Sequence, residues 1–205
     1  MKIRSVEYAG TIATPGGAAP GELPQVAFSG RSNVGKSSLI NTLLRRSRSK
    51  LAHVSGTPGK TRALNFYRVN DDFFLVDLPG YGFARVPETV RREWAELTEW
   101  YLGASGLVRG VVHLVDARHS PTRHDLQMVE YLAETGLPAL IVLTKVDKLK
   151  SREREASITR ASGALSIDET QIVLFSSKTG EGRDELLEAL EELVNDPQGG
   201  EDGVG

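Results

Sequence analysis

"GRSNVGKSSLINTLL", residues 30 to 44, decides how the rest of the chain is read. Gly30, Gly35, Lys36 and Ser37 fit the template G-x-x-x-x-G-K-[ST]. After Ser37 the apolar residues Leu39, Ile40, Leu43 and Leu44 recur at helical spacing, and "QVAFS" (25–29) just upstream reads as a strand. A strand, a glycine-bearing turn and a helix start, in that order, form a phosphate cradle. Backbone N–H groups converge on the anion, and the helix N-terminus adds a favourable partial charge. Arg31, Ser32, Asn33 and Val34 form the turn. Lys36 would reach the β- and γ-phosphates, and the Ser37 hydroxyl would ligate Mg2+.

Short apolar runs alternate with helical patterns on the C-terminal side. "ALNFYRV" (63–69), "FFLVDL" (73–78), "LVRGVVHLVD" (107–116), "PALIVLT" (138–144) and "QIVLF" (171–175) read as further strands. Most are continuously apolar, as strands covered on both faces are. Val90, Trp94, Leu97 and Tyr101 mark one helix, and Leu186, Leu187, Leu190, Leu193 and Val194 mark a last one. A weaker pattern covers about residues 122–134 and a charged one about 151–165. The alternation predicts an α/β domain with a mostly parallel sheet. "NDD" (70–72) is hairpin chemistry, so one edge strand is expected to run antiparallel. Residues 1–24, with the Pro- and Gly-rich "TPGGAAPGELP", are expected to be an extension and loop, 25–195 the domain, and 196–205 a mobile tail.

Composition bounds the function. The 205 residues are 40% hydrophobic and 25% charged, as for one globular domain. A net charge of −2 gives no global attraction to nucleic acid, so such contact would need a local patch. The absence of cysteine excludes disulfides, thiolate metal sites and prenyl or palmitoyl anchors, and fits a cytoplasmic location. No apolar run reaches the roughly 18 residues of a membrane span, and "MKIRSVEYAG" lacks a signal-peptide core.

Further motifs follow in order. "DLPG" (Asp77, Leu78, Pro79, Gly80) ends an apolar strand. Its aspartate suits Mg2+, usually through water, and Gly80 would offer a backbone N–H to the γ-phosphate. "TKVD" (Thr144, Lys145, Val146, Asp147) ends another strand. Guanine presents two adjacent donors that one carboxylate, Asp147, can accept; adenine lacks the pair. The Lys145 stem can lie flat along the base. An alternative role for Asp147 is a helix N-cap. "SSK" (Ser176, Ser177, Lys178) again follows a strand, and backbone N–H groups there could hold guanine O6. Motifs of this kind at strand C-terminal ends predict a GTPase domain. Between the first helix and the expected edge strand, Thr57 or Thr61 should complete the Mg2+ shell when a γ-phosphate is present, with Thr61 preferred.

"GRSNVGKSSLINTLL", "TPGKTRALNFY", "VDLPGYGFARV", "TKVDKL" and "SSKTGEG" together resemble the EngB (YsxC/YihA) family, bacterial GTPases of ribosome assembly. The resemblance covers residues 25–195, and "PGKTRALNFY" and "DLPGYGFA" are its family-specific pieces. It implies a three-layer α/β domain of the Ras-like P-loop GTPase fold, with a six-stranded, mostly parallel sheet, one antiparallel edge strand and helices on both faces. It implies Mg2+ on Ser37 and Thr61, with Gly59, Lys60, Arg62 and Ala63 beside the nucleotide. It also implies GTP-dependent binding to the large ribosomal subunit, a monomer, and a link to septation and cell division. Tyr81 stands where many small GTPases carry a water-orienting glutamine, so slow turnover is expected. In related GTPases lacking that glutamine, an asparagine at the Asn33 position helps bind K+ near the phosphates. The catalytic set would then be Lys36, Thr61, Gly80 and Asn33. The alternative for Asn33 is a residue that tolerates a tight bend. Other readings are a tRNA-modification GTPase and a scaffold that holds nucleotide with negligible turnover. The basic run "RRSRSK" (45–50) and Arg85, Arg91 and Arg92 could meet rRNA phosphates or form a solvated face. The four histidines show no metal-ligand spacing.

Overall fold

The computed structural model describes residues 1–44, 63–82, 87–104 and 106–195. Seven strands form one sheet: β1 (Val6–Ile12), β2 (Gln25–Gly30), β3 (Leu64–Val69), β4 (Phe73–Asp77), β5 (Val108–Asp116), β6 (Ala139–Thr144) and β7 (Ile172–Phe175), in the order β1-β3-β4-β2-β5-β6-β7. Five helices cover it: α1 (Lys36–Leu43), α2 (Glu88–Ala104), α3 (Arg123–Glu134), α4 (Ser151–Leu165) and α5 (Arg183–Asn195). From β4 through β2, β5 and β6 to β7 the pairing is parallel.

Side chains along β2 alternate between two packed layers, as a pleated strand requires. Val26 and Phe28 meet Leu39, Ile40 and Leu43 of α1 and Leu186 and Leu190 of α5. Ala27 faces the other layer, with Leu97 and Tyr101 of α2 and Leu132 of α3. Every residue of β2 and β4 is buried, which is why residues 26–28 and 73–76 read as apolar runs.

The six-stranded expectation needs correcting, because the N-terminal extension supplies a seventh strand. β1 pairs antiparallel with β3, so β3 is an interior strand and β1 the edge. A bulge between Tyr8 and Gly10 hides β1 in the sequence. Val6 and Ile12 are an even number of residues apart and would share a face in a regular strand. The extra residue flips that parity, so Val6 joins the α1/α5 layer and Ile12 the opposite one. The hairpin tip fixes the chain start. Asn70 and Asp71 both have positive φ (53° and 60°), as a tight two-strand turn demands. The Asn70 Oδ1 accepts from the N–H groups of Arg4 (2.7 Å) and Ser5 (3.2 Å), and its Nδ2 donates to Lys2 O (2.8 Å).

β2 lies where the strand order reverses. The chain leaves it toward β3 and β4 on one side and later returns through β5 on the other. That switch point opens a crevice beyond the strand's carboxyl end, where ligands of such sheets bind.

Candidate functional site

The glycine-bearing turn fills that crevice. Gly30 ends β2, and a Cβ there would come within 3.0 Å of Leu114 and Val34, so no side chain fits. Asn33 (φ 63°) and Gly35 (φ 109°) fold the turn, and the buried Val34 plugs it into the core. Asn33 thus fills the bend-tolerating role directly, with its side chain exposed. Gly35 caps α1 without a side-chain hydrogen bond, so the first-turn N–H groups of Lys36 and Ser37 are offered to an outside acceptor.

Lys36 is buried and forms an ion pair with Asp77, itself buried at the end of β4. The two charges offset each other inside the fold. They are also the two charges that a nucleotide with its cation could engage: lysine for phosphate oxygens, carboxylate for the ion. Leu78 and Pro79 are buried behind them, and Leu78 N–H donates to Phe28 O (3.1 Å). Gly80 lies on the turn, where a Cβ would be 3.4 Å from Ser32 N. Among the described residues no cluster of three His, Asp or Glu side chains could hold a metal ion. One hydroxyl, Ser37, and one carboxylate, Asp77, fit an ion that keeps water and phosphate ligands, as Mg2+ does.

The β6 and β7 ends complete the crevice. Thr144 Oγ1 donates to Val34 O (2.7 Å), tying β6 to the turn. Lys145 has positive φ (64°), and its Nζ donates to Asn33 O (2.7 Å) and Asp116 Oδ2 (2.9 Å), stretching the stem across the site. Val146 and Asp147 lie in a 3-10 turn, Val146–Lys148, with Val146 buried. Asp147 is therefore not the N-cap of α4, a place taken by Lys150. Its Oδ1 instead accepts from Ser176 Oγ (2.9 Å), and that bond is the main cause holding its carboxyl below the usual range. Ser176 Oγ accepts in turn from the N–H groups of Lys178 and Thr179, both at 3.2 Å. Ser177 O accepts from Thr42 Oγ1 (3.3 Å), which links this loop to α1. The arrangement presents one oriented carboxylate beside a phosphate-sized turn.

The structure brings together Gly30 to Ser37, Asp77 to Gly80, Thr144 to Asp147 and Ser176 to Lys178. Ala63 is half-buried just before β3. Thr57, Gly59, Lys60, Thr61 and Arg62 lie outside the described residues, as do the basic run 45–50, Arg85 and the tail. Arg91 and Arg92 are exposed on α2 and pair with Glu88 and Glu96.

Sequence reading missed Asp116 and Arg118. Burial would raise the Asp116 carboxyl, but hydrogen bonds from Arg118 (2.9 and 2.8 Å) and Lys145 outweigh it and hold the group well below the usual range. A pocket of about 260 Å³ lies between the turn and the β5–α3 loop, lined in part by Arg31, Asn33, Asp116, Arg118 and Lys145. The available signal was an aspartate ending an apolar strand beside β2. Also missed was a buried set made by Ser29, His113, Tyr81 and Asp125. Nothing in histidine spacing marks it.

Residues 25–145 match a family model described as a 50S ribosome-binding GTPase. A probable GTP-binding protein EngB of Gemmatimonas aurantiaca is 49% identical over 96% of both chains. The crystal structure of a probable GTP-binding protein EngB superposes with a TM-score of 0.69 over 83% of this chain and 98% of that one, at 22% identity. Era in complex with MgGDPNP and nucleotides of 16S ribosomal RNA gives 0.67 over 90% of this chain and 60% of that one, also at 22% identity. The two structural likenesses carry the three-layer P-loop fold.

Proposed function

The chain belongs to the EngB family of GTP-binding proteins, and on that premise we propose that it is a slow GTPase acting as a nucleotide switch in assembly of the large ribosomal subunit. GTP binding and hydrolysis go with the family. The ribosomal role is supported by the description of the matching family model and by a structural relative bound to rRNA. The observation that carries the choice of guanine is the Asp147 carboxylate, fixed by Ser176 at 2.9 Å. ATP would leave that carboxylate without a donor pair.

In this reading the N–H groups of the turn and of Lys36 and Ser37 cradle the phosphates, and Lys36 turns from Asp77 to the β,γ-oxygens. Ser37, Asp77 and Thr61 would hold Mg2+, which when bound would supply charge compensation at the phosphates. Gly80 reports the γ-phosphate through its N–H. Thr144 and Lys145 brace the turn, and Ser176 to Lys178 border the base. Tyr81 cannot replace a glutamine amide, which supports slow turnover. K+ near Asn33 would supply part of the missing charge compensation; faster turnover in K+ than in Na+, lost in Asn33→Ala, is the expected signature. None of the described helices is long and apolar enough to cross a membrane.

Sedimentation through sucrose gradients tests the ribosomal role. Purified large subunits are mixed with the protein and either a non-hydrolysable GTP analogue or GDP. Co-sedimentation with the analogue and loss with GDP are expected. Equal association in both states would overturn the switch.

A further inference from the structure

Tyr81 immediately follows the DLPG motif, and its side chain does not face the phosphate turn. It crosses to β5 and α3. Its hydroxyl donates to Asp125 Oδ1 (2.6 Å), a buried carboxylate. The hydroxyl hydrogen being used there, the Tyr81 oxygen is left to accept from His113 Nε2 (3.1 Å). That bond fixes the tautomer, so His113 Nδ1 accepts from Ser29 Oγ (2.7 Å), one residue before the turn begins. His113 is fully buried, its ring parallel to that of Tyr81 within 5° at a centroid distance of 6.1 Å. Asp125 Oδ2 accepts from Thr122 N–H and Oγ1, both at 2.6 Å, as the capping box of α3. Hydrogen bonds therefore run in one direction from Ser29 through His113 and Tyr81 to Asp125. Burial, then the Asp125 charge, push the Tyr81 hydroxyl well above its usual range, so it stays a donor. Burial would raise Asp125, but bonds from His113, Thr122 and Tyr81 hold it well below, so it stays an acceptor. His113 Nε2 also lies 3.4 Å from Asp125 Oδ1 and so shares its hydrogen between Tyr81 and Asp125.

The backbone end of Tyr81 does something different. Its carbonyl accepts the Ser32 N–H (2.8 Å), and Arg31 and Tyr81 form an isolated parallel bridge. The chain just after Gly80 is thus laid on the phosphate turn, while the hydroxyl end is locked in a polar set inside the core.

We propose that His113 and Asp125 are positioning residues that act through Tyr81. By holding its hydroxyl they keep the Gly80 backbone on the phosphate turn, so that the protein discriminates GTP from GDP. A γ-phosphate then meets an N–H already in place, and the ordering of that segment is not charged against binding. GDP does not reach Gly80 and gains nothing from the anchor. The tyrosine is a fixed strut and does not orient the attacking water. This deepens the reading of the site as a GTP switch and rests on it.

The test titrates the full chain with GDP and with a non-hydrolysable GTP analogue, both with Mg2+. Tyr81→Phe keeps the ring and removes both hydrogen bonds. The affinity for the analogue relative to GDP is expected to fall about tenfold, a typical loss for a hydrogen bond to a charged group. Asp125→Ala should give a similar fall, and the double variant no further one, because both cut the same link. Thr122→Val weakens the α3 cap while sparing the Asp125–Tyr81 bond. It should leave the ratio unchanged, which a merely structural role for α3 would not. If Asp125→Ala does not fold, His113→Asn replaces it in the cycle, keeping a polar atom for Ser29 and losing the one at Nε2. An unchanged ratio in Tyr81→Phe, or additive losses in the double variant, would overturn the proposal. Failure of the GTP reading looks different: the wild type would then bind neither guanine nucleotide.

Discussion

The proposed guanine end and the proposed γ-phosphate end of the crevice are both built from strand carboxyl ends, yet they are held in opposite ways. At the β6 and β7 ends the polar groups are bonded into the fold as they stand. Thr144 and Lys145 brace the turn, and Ser176 fixes Asp147. A base can add its donors to the remaining lone pairs of Asp147, whose Oδ2 also pairs with Lys148 Nζ at 3.5 Å. At the β4 end Lys36 and Asp77 are bonded to each other. A triphosphate and its cation must exchange those partners. On the proposed reading the difference teaches a division of labour: the choice of base rests on rigid geometry, and the reading of the γ-phosphate rests on an ion pair that can be traded beside a backbone held by Tyr81.

Breaking the tradable end should have the largest effect. Lys36→Ala removes the phosphate contact and leaves Asp77 buried without its cation. We expect loss of measurable nucleotide binding and a destabilisation of about 3–5 kcal/mol, the usual result of removing one partner of a buried pair. Asp77→Asn should be milder in stability, since Lys36 can still donate to an amide oxygen. Calorimetry and denaturant titration check both. A destabilisation below about 1 kcal/mol in Lys36→Ala would mean that the ion pair is not what holds this end.

Loosening the rigid end should cost less. Ser176→Ala leaves Asp147 in place but without its oriented donor. GTP and GDP affinities should both fall, by about 1.5–3 kcal/mol at most, with their ratio unchanged. A selective loss of GTP would place Ser176 on the γ-phosphate side of the comparison.

The smallest effect sharpens the contrast through pH. Asp125 and Asp116 are held below the ordinary carboxylate value in the fold. Their stabilising contribution is therefore complete above the unfolded value of about 3.9 and is lost as pH falls below it toward the folded values. Denaturation midpoints should be flat from about pH 6 to 5 and decline below about pH 4. Asp125→Asn should show a shallower decline. An unchanged slope in that variant would remove Asp125 as a contributor.

How far the sequence could be read follows the same division. The strand, turn and helix over residues 25–44 and the places of Asp77 and Asp147 at strand ends were legible because each stands in a motif with a fixed order along the chain. Five helices and six strands were legible because their apolar spacing matches their burial. β1 was not, because its bulge breaks the alternation and its partners lie far along the chain, from Val69 opposite Val6 to Leu64 opposite Ile12. Asp147 resembled a cap because an aspartate after a strand satisfies either role locally. The 3-10 turn, which leaves the cap of α4 to Lys150, and the Ser176 contact, 29 residues on, separate the two. The Tyr81 anchor was out of reach for the same reason. His113 sits in an apolar run, and its burial against Tyr81 and Asp125 depends on β5 lying beside β2.

Base selection by a single fixed carboxylate is tested most directly by nucleotide titration of wild type and Asp147→Asn. GTP and xanthosine triphosphate are each titrated by calorimetry with Mg2+. The wild type should prefer GTP. The variant should lose GTP affinity by on the order of a hundredfold, consistent with losing paired bonds to a charged acceptor, and gain xanthosine triphosphate, whose 2-oxo group takes a donor from the new amide. Undiminished GTP preference in Asp147→Asn would contradict the assignment of the guanine site.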